Sequence, residues 1–209
     1  MRFFKNQFLF YWLLLLAPAQ GSTCPVLVIG DSISAAYGLQ QPQGWVALLQ
    51  QNLAHENMAC TVINASISGD TSSGGLARID QALRTHQPGI VVIELGGNDG
   101  LRGLPPNLIK SNLKTMIEKS RAAQADVILL GIQIPPNYGK SYTTLFEQIY
   151  PDLAREMAVE FVPKLLTGIG DHAEYMQSDG IHPNPEGQSK IRDQVFEKIS
   201  NMIAKSAIE

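Results

Sequence analysis

The sequence predicts an α/β protein, a three-layer α/β/α sandwich built around a five-stranded parallel sheet. Three observations predict it. Five short runs rich in Val, Ile and Leu recur along the chain, each bounded by loop-forming residues. They are nearly continuous in apolar residues instead of alternating with polar ones, as strands covered on both faces must be. Between them lie longer stretches with apolar residues at i, i+3/i+4 and i+7, the stripe of a helix resting on a sheet. Such β-α alternation folds through right-handed crossovers that put helices on both faces.

The strands are expected over 25–29, 61–64, 90–95, 127–132 and 161–165. A first helix over 45–57 carries Val46, Leu49 and Leu53 on one side, and a second over 75–86 carries Leu76, Ile79 and Leu83. The third, 106–123, repeats Ile109, Leu113, Met116 and Ile117; the fourth, 143–158, repeats Leu145, Phe146, Ile149, Leu153 and Met157. A last helix over 185–204 carries Ile191, Val195, Ile199 and Ile203. The longest irregular stretches, 66–74, 96–105, 135–141 and 166–184, each follow a strand. They therefore gather at the C-terminal edge of the sheet, where open parallel sheets bind ligands.

Length and composition bound the rest. With 209 residues and 44% hydrophobic residues, the chain can bury one good core, so a single domain is expected. Charged residues make up only 17% and form no long run of one sign, which argues against disorder and polyanion binding. A net charge of −3 gives nucleic acid no electrostatic reason to bind. No histidine pair has ligand spacing and no Cys-x-x-Cys occurs, so no metal is expected.

Residues 1–21 read as an export signal and 22–209 as the mature domain. Arg2 and Lys5 precede the apolar run 8–17, which is too short to span a bilayer core of about 30 Å as a helix. Ala17, Ala19 and Gly21 then supply small residues for cleavage, after Ala19 or Gly21. An uncleaved membrane anchor is the alternative. A periplasmic or secreted protein with no stable membrane insertion is expected.

The chemistry-bearing residues lie in the loops that follow the strands. Ser32, in Gly30-Asp31-Ser32, comes directly after the apolar run 26–29, so its hydroxyl stands at the rim of the sheet. A serine hydroxyl is a weak nucleophile that needs a base. His182 is the candidate base, and Asp179, three residues earlier, can orient the ring. Acyl transfer also needs donors for a developing oxyanion: the Ser32 N–H if a helix starts there, the Gly69 N–H, and the Asn98 side-chain amide. Each residue alone has an ordinary reading as a turn or cap residue. His55, His86 and His172 read as solvated, Asp31 as a structural residue of the serine loop, and Asp99 as a support of the Asn98 loop.

Taken together and in order, these blocks resemble the SGNH, or GDSL, hydrolase family, whose letters are matched here by Ser32, Gly69, Asn98 and His182. The runs Asn64-Ala65-Ser66-Ile67-Ser68-Gly69-Asp70-Thr71 and Glu94-Leu95-Gly96-Gly97-Asn98-Asp99-Gly100-Leu101-Arg102-Gly103 are similar to its exported bacterial branch, known as thioesterase I, protease I, lysophospholipase L1 or arylesterase. The resemblance covers essentially the whole mature chain. It implies strand order 2-1-3-4-5 and a cofactor-free serine esterase with a Ser32–His182–Asp179 triad. It also implies a hole formed by Ser32, Gly69 and Asn98, and acyl esters, thioesters and lysophospholipids as substrates. No Gly-x-Ser-x-Gly occurs, which disfavours the larger α/β-hydrolase fold. A carbohydrate O-acetylesterase is the alternative enzyme, and a non-catalytic lipid- or glycan-binding module the alternative of another class. A monomer is the default.

Cys24 precedes the first strand and Cys60 the second. If those strands are parallel neighbours, the two residues start side by side, about 5 Å apart. A disulfide tolerates that separation, and an oxidising compartment would favour it. Two unpaired thiols remain the alternative.

Overall fold

A computed structural model describes residues 24–206; the expected signal segment, 1–21, lies outside the described residues. Five strands, β1 (Cys24–Gly30), β2 (Cys60–Asn64), β3 (Ile90–Glu94), β4 (Asp126–Leu130) and β5 (Glu160–Val162), pair in parallel in the order β2-β1-β3-β4-β5. Six helices complete the three layers: α1 (Trp45–His55), α2 (Ser72–His86), the short α3 (Gly97–Leu101), α4 (Pro106–Ala122), α5 (Lys140–Met157) and α6 (Pro185–Ser206).

The two-residue period of a strand sorts the apolar runs into two cores. Leu27, Ile29, Val91, Ile93, Val127 and Leu129 face α2, α4 and α5. Val26, Val28, Ile90, Val92, Ile128 and Leu130 face α1 and α6. This is why the central strands tolerate no polar interruption until their C-terminal ends. Each fully buried Val, Leu or Ile contributes about 1.5–3 kcal/mol relative to exposure.

Local chemistry explains where element ends depart from the periodic reading. β5 stops at Val162 because Pro163 has no N–H to continue a ladder. α2 starts at Ser72, before its apolar stripe, because the Thr71 hydroxyl caps it by accepting the Gly74 N–H at 3.2 Å. α3 falls inside a stretch read as irregular; five residues are too few for a period to register.

Cys24 lies opposite Cys60 in the β1–β2 register, and both carry free thiols. Burial, then the neighbouring Cys24 thiol, pushes the Cys60 thiol up to about 12. Among the described residues, no helix is long and apolar enough to cross a membrane.

Candidate active site

Ser32 sits where β1 ends, in a chain of tight turns and not at the start of a regular helix. The Ser32 N–H is therefore presented by a turn and not by a helix N-terminus. The turn closes on itself: the Ala35 N–H donates to the Asp31 carbonyl at 2.9 Å and the Tyr37 N–H to the Ser32 carbonyl at 3.0 Å. Distant elements hold it from outside. Asn64 at the end of β2 donates to the Ser34 carbonyl at 2.8 Å, and Gln188 of α6 to the Ile33 carbonyl at 3.3 Å. A Cβ on Gly30 would come within 2.6 Å of Ser34 Oγ and 2.9 Å of Glu94 Oε2, so only glycine lets this turn pack on β3.

The second loop is a short hairpin-like excursion. Met176 and Pro183 pair antiparallel, and the Gln177 N–H donates to the His182 carbonyl at 2.8 Å. The Gln177 side chain donates to the Tyr37 carbonyl at 2.8 Å, which ties this loop to the serine turn across 140 residues of sequence. Within it, Asp179 Oδ1 accepts the N–H groups of Ile181 (2.9 Å) and His182 (3.0 Å). Asp179 Oδ2 faces His182 Nδ1 at 2.7 Å. The other ring nitrogen, Nε2, lies 2.9 Å from Ser32 Oγ. With Nδ1–H donating to the carboxylate, Nε2 is left to accept the serine proton. The His182 ring, followed by the two backbone N–H groups, holds the Asp179 carboxyl down at about 2. Tyr37 covers the imidazole, with ring centroids 4.6 Å apart. A hydroxyl, an imidazole and a carboxylate in one hydrogen-bonded line can generate an alkoxide-like nucleophile.

The donor side of the site is equally specific. Among the described residues, neither the Ser32 N–H nor the Gly69 N–H has an acceptor. Gly69 takes φ +80, a left-handed conformation, and a Cβ there would meet nothing within 4 Å, so the loop borders open space at this residue. Asn98 lies at the start of α3, and its amide is already engaged. Nδ2 donates to the Asp70 carbonyl at 2.9 Å and to Asp31 Oδ2 at 3.1 Å. The loops carrying Gly69 and Asn98 are braced: Asp70 pairs with Arg78 at 2.8 Å, and Asp99 accepts the Ser72 N–H (2.8 Å) and hydroxyl (2.6 Å). Asp99 thereby fastens the start of α2 to α3.

The other histidines stay away. His55 and His172 are exposed, each beside an adjacent glutamate. Residues not singled out in the sequence also reach the site from below. Glu94, completely buried, lies opposite Gly30 in the β1–β3 register. It continues the α1-facing side of Ile90 and Val92, where it meets Ser34 and, through it, Trp45. A glutamate closing a run of Val and Ile was the available signal, because a strand covered on both faces offers a carboxylate no water. Gln188, also buried, accepts the first N–H of α1, that of Trp45, at 2.9 Å.

Comparison with known proteins agrees with this architecture. The profile of the GDSL-like lipase/acylhydrolase family matches residues 28–190. The chain is 48% identical to esterase TesA of Pseudomonas aeruginosa, over 91% of this chain and 94% of that one. It is 40% identical to thioesterase 1/protease 1/lysophospholipase L1 of Escherichia coli K12, over 94% and 92%. The crystal structure of the psychrotrophic esterase EstA from Pseudoalteromonas sp., inhibited by monoethylphosphonate, superposes with a TM-score of 0.82 at 41% identity, covering 86% of this chain and 98% of that one. By fold, ordered blocks and similarity over most of its length, the chain belongs to the GDSL-like lipase/acylhydrolase family.

Proposed function

We propose that the protein is a serine esterase and thioesterase that works through an acyl-enzyme on Ser32. The observation that carries this is the unbroken line from Ser32 Oγ through His182 to Asp179, at 2.9 and 2.7 Å, together with two backbone N–H groups, of Ser32 and Gly69, that have no acceptor among the described residues. Ser32 Oγ bonds to the acyl carbon while its proton passes to His182 Nε2. Asp179 keeps the ring oriented and balances the imidazolium charge. The oxyanion is held by the Ser32 and Gly69 N–H groups and the Asn98 amide. His182 then returns the proton to the leaving alcohol or thiol as its bond to carbon breaks, and water repeats the sequence on the acyl-serine.

The rim supports an apolar acyl group over a sugar. Tyr37 (53% exposed), Ile67 (52%) and Ile181 (49%) stand open to solvent in the loops around Ser32. Such side chains suit an alkyl or aryl chain better than a polyol. Ile134 is buried and Leu104 packs against the core, so neither serves this face. The names of the relatives support aryl esters, acyl thioesters and lysophospholipids within the substrate class. A p-nitrophenyl ester series from acetate upward tests it, with Ser32→Ala as the blank. Turnover rising beyond acetate and abolished in Ser32→Ala is expected. Acetate-only turnover favours a carbohydrate O-acetylesterase, and Ser32→Ala activity within tenfold of wild type overturns the mechanism.

We further propose that residues 1–21 direct export and that Cys24 and Cys60 become a disulfide between β1 and β2. Their position opposite one another in a parallel pair supports this, since neighbouring strands lie about 4.8 Å apart and a disulfide spans 4.4–6.8 Å between Cα atoms. The two thiols pass two protons and two electrons to a thiol–disulfide oxidant. Protein isolated from the oxidising compartment and denatured without reductant should show no titratable thiol; two would overturn the bond.

A further inference from the structure

The floor of the site holds two carboxyl groups that the mechanism does not use. Asp31 is 3% exposed and Glu94 is fully buried. No lysine, arginine or histidine pairs with either, among the ion pairs of the described residues. Two adjacent buried carboxylates without a cation are disfavoured both by lost hydration and by mutual repulsion.

Their hydrogen bonds show how the conflict resolves. The Trp45 indole N–H donates to Ser34 Oγ at 3.2 Å, which leaves the Ser34 hydroxyl free to donate its own proton to Glu94 Oε2, 2.7 Å away. The same Oε2 accepts the Asp31 N–H at 3.2 Å. Asp31 Oδ1 accepts the Ile33 N–H at 3.1 Å, and Oδ2 accepts the Asn98 amide at 3.1 Å. Three of the four oxygens are therefore fixed as acceptors. The fourth, Glu94 Oε1, is buried and has no partner. An unpaired buried acceptor is costly, but the same atom carrying a proton becomes a donor. The carboxyl of Asp31, the residue whose backbone N–H binds the other Glu94 oxygen, is the neighbouring group that can receive it.

We infer that Glu94 is a protonated acid sharing its proton with the Asp31 carboxylate, and that this pair is the positioning device that sets the Asn98 amide beside Ser32. The pair then carries one negative charge in place of two. That charge resides on Asp31, where it holds one Asn98 N–H while the Asp70 carbonyl holds the other. Both Asn98 N–H groups have protein acceptors, so an arriving oxyanion shares one of them with the acceptor that fixes the amide's orientation. Burial, followed by the charge of its partner, raises Glu94 above the usual carboxylate range, and burial raises Asp31 to about 6. The charged and titratable groups around the pair are His182 from its loop, Asp99 of α3, Tyr150 of α5 and Arg78 of α2. Arg78 is committed to Asp70 and to carbonyl oxygens, leaving no cation to neutralise the pair.

The part of this inference that concerns Asn98 rests on the proposed esterase mechanism; the location of the proton does not. Infrared difference spectroscopy of the folded wild-type protein against Glu94→Gln at neutral pH reads the proton directly. A protonated-carboxyl C=O band, absent in Glu94→Gln, is expected, and its absence from wild type overturns the inference whatever the protein hydrolyses. Kinetics read the positioning role. Glu94→Ala should lower kcat about tenfold, a fraction of the roughly 10²–10³ associated with losing an oxyanion donor outright, with KM within about twofold. Glu94→Gln, which keeps an acceptor for Ser34 and a donor for Asp31, should restore kcat to within about threefold of wild type. Asp31→Asn sets an amide N–H against either the Ile33 N–H or the Asn98 amide and should resemble Glu94→Ala. A folded Glu94→Gln as impaired as Glu94→Ala overturns the positioning role, as does Asp31→Asn at wild-type kcat. Wild-type turnover in Ser32→Ala would instead remove the mechanism and leave the infrared result standing.

Discussion

Asp179 and the Asp31–Glu94 pair approach the same serine from opposite sides, the first in contact with water and the second shut away from it. Asp179 stands on a surface loop with 37% of its side chain exposed, yet three donors converge on it, so it stays charged. Asp31 and Glu94 lie at the C-terminal ends of β1 and β3 with no cation paired to either among the described residues, so one of them keeps its proton. The residue types are nearly the same; donors lower one acid and burial raises the others. The difference teaches that a carboxyl group's role here is set by the number of N–H groups aimed at it and by its access to water. Only the exposed acid is suited to balance a charge that appears and disappears during turnover. The buried pair is suited to hold a geometry that must not change.

The largest test of this contrast is Asn98→Ala, which removes the group the buried pair holds. It should lower kcat by about 10²–10³ with KM little changed, measured by steady-state kinetics on a p-nitrophenyl ester. A wild-type kcat would make the buried pair a support for the fold alone. Next is Asp179→Asn. Replacing the buried aspartate of a triad drops kcat by about 10⁴, but an amide at 179 still accepts the two backbone N–H groups and water reaches the site, so a loss of about 10² is expected. A loss near 10⁴ would mean that Asp179 acts as a buried acid despite its exposure.

The smallest effect is read in stability, and its sign differs for the two regions. Glu94 is raised in the folded state, so its contribution is complete below its unfolded value of 4.5 and is lost as pH rises through the folded one. Asp179 is lowered from 3.8 to about 2, so its contribution is present above 3.8 and is lost as pH falls through about 2. Denaturant midpoints should therefore show wild type losing ground to Glu94→Gln on the alkaline side and to Asp179→Asn on the acid side. The acid-side change should be under about 1 kcal/mol, as for exposed pairs. A reversal of either sign would break the contrast.

Much of this molecule was legible before any coordinates. Local hydrophobic period identified all five strands and the five long helices, because a strand covered on both faces and a helix resting on a sheet leave different patterns. Element ends were less legible: the Thr71 cap and the Pro163 stop depend on single side chains or a missing N–H. Ser32, Gly69, Asn98, Asp179 and His182 stood out because the ordered blocks resembled a family, while the spacing of each alone had an ordinary explanation.

By itself, then, the sequence determined the α/β alternation, the rim at which the loops gather and the residue types that carry acyl chemistry, since these follow from local pattern and from block order. Only the tertiary structure decided which carboxyls are charged. Glu94 reads as one acidic letter at the end of an apolar strand, and Asp31 as a loop residue beside a serine. Their protonation depends on Trp45 directing Ser34, on Asn98 arriving from the third strand's loop, and on the absence of a free cation, all across long sequence separations. Electrostatic energy depends on distance and on access to water, and folding sets both.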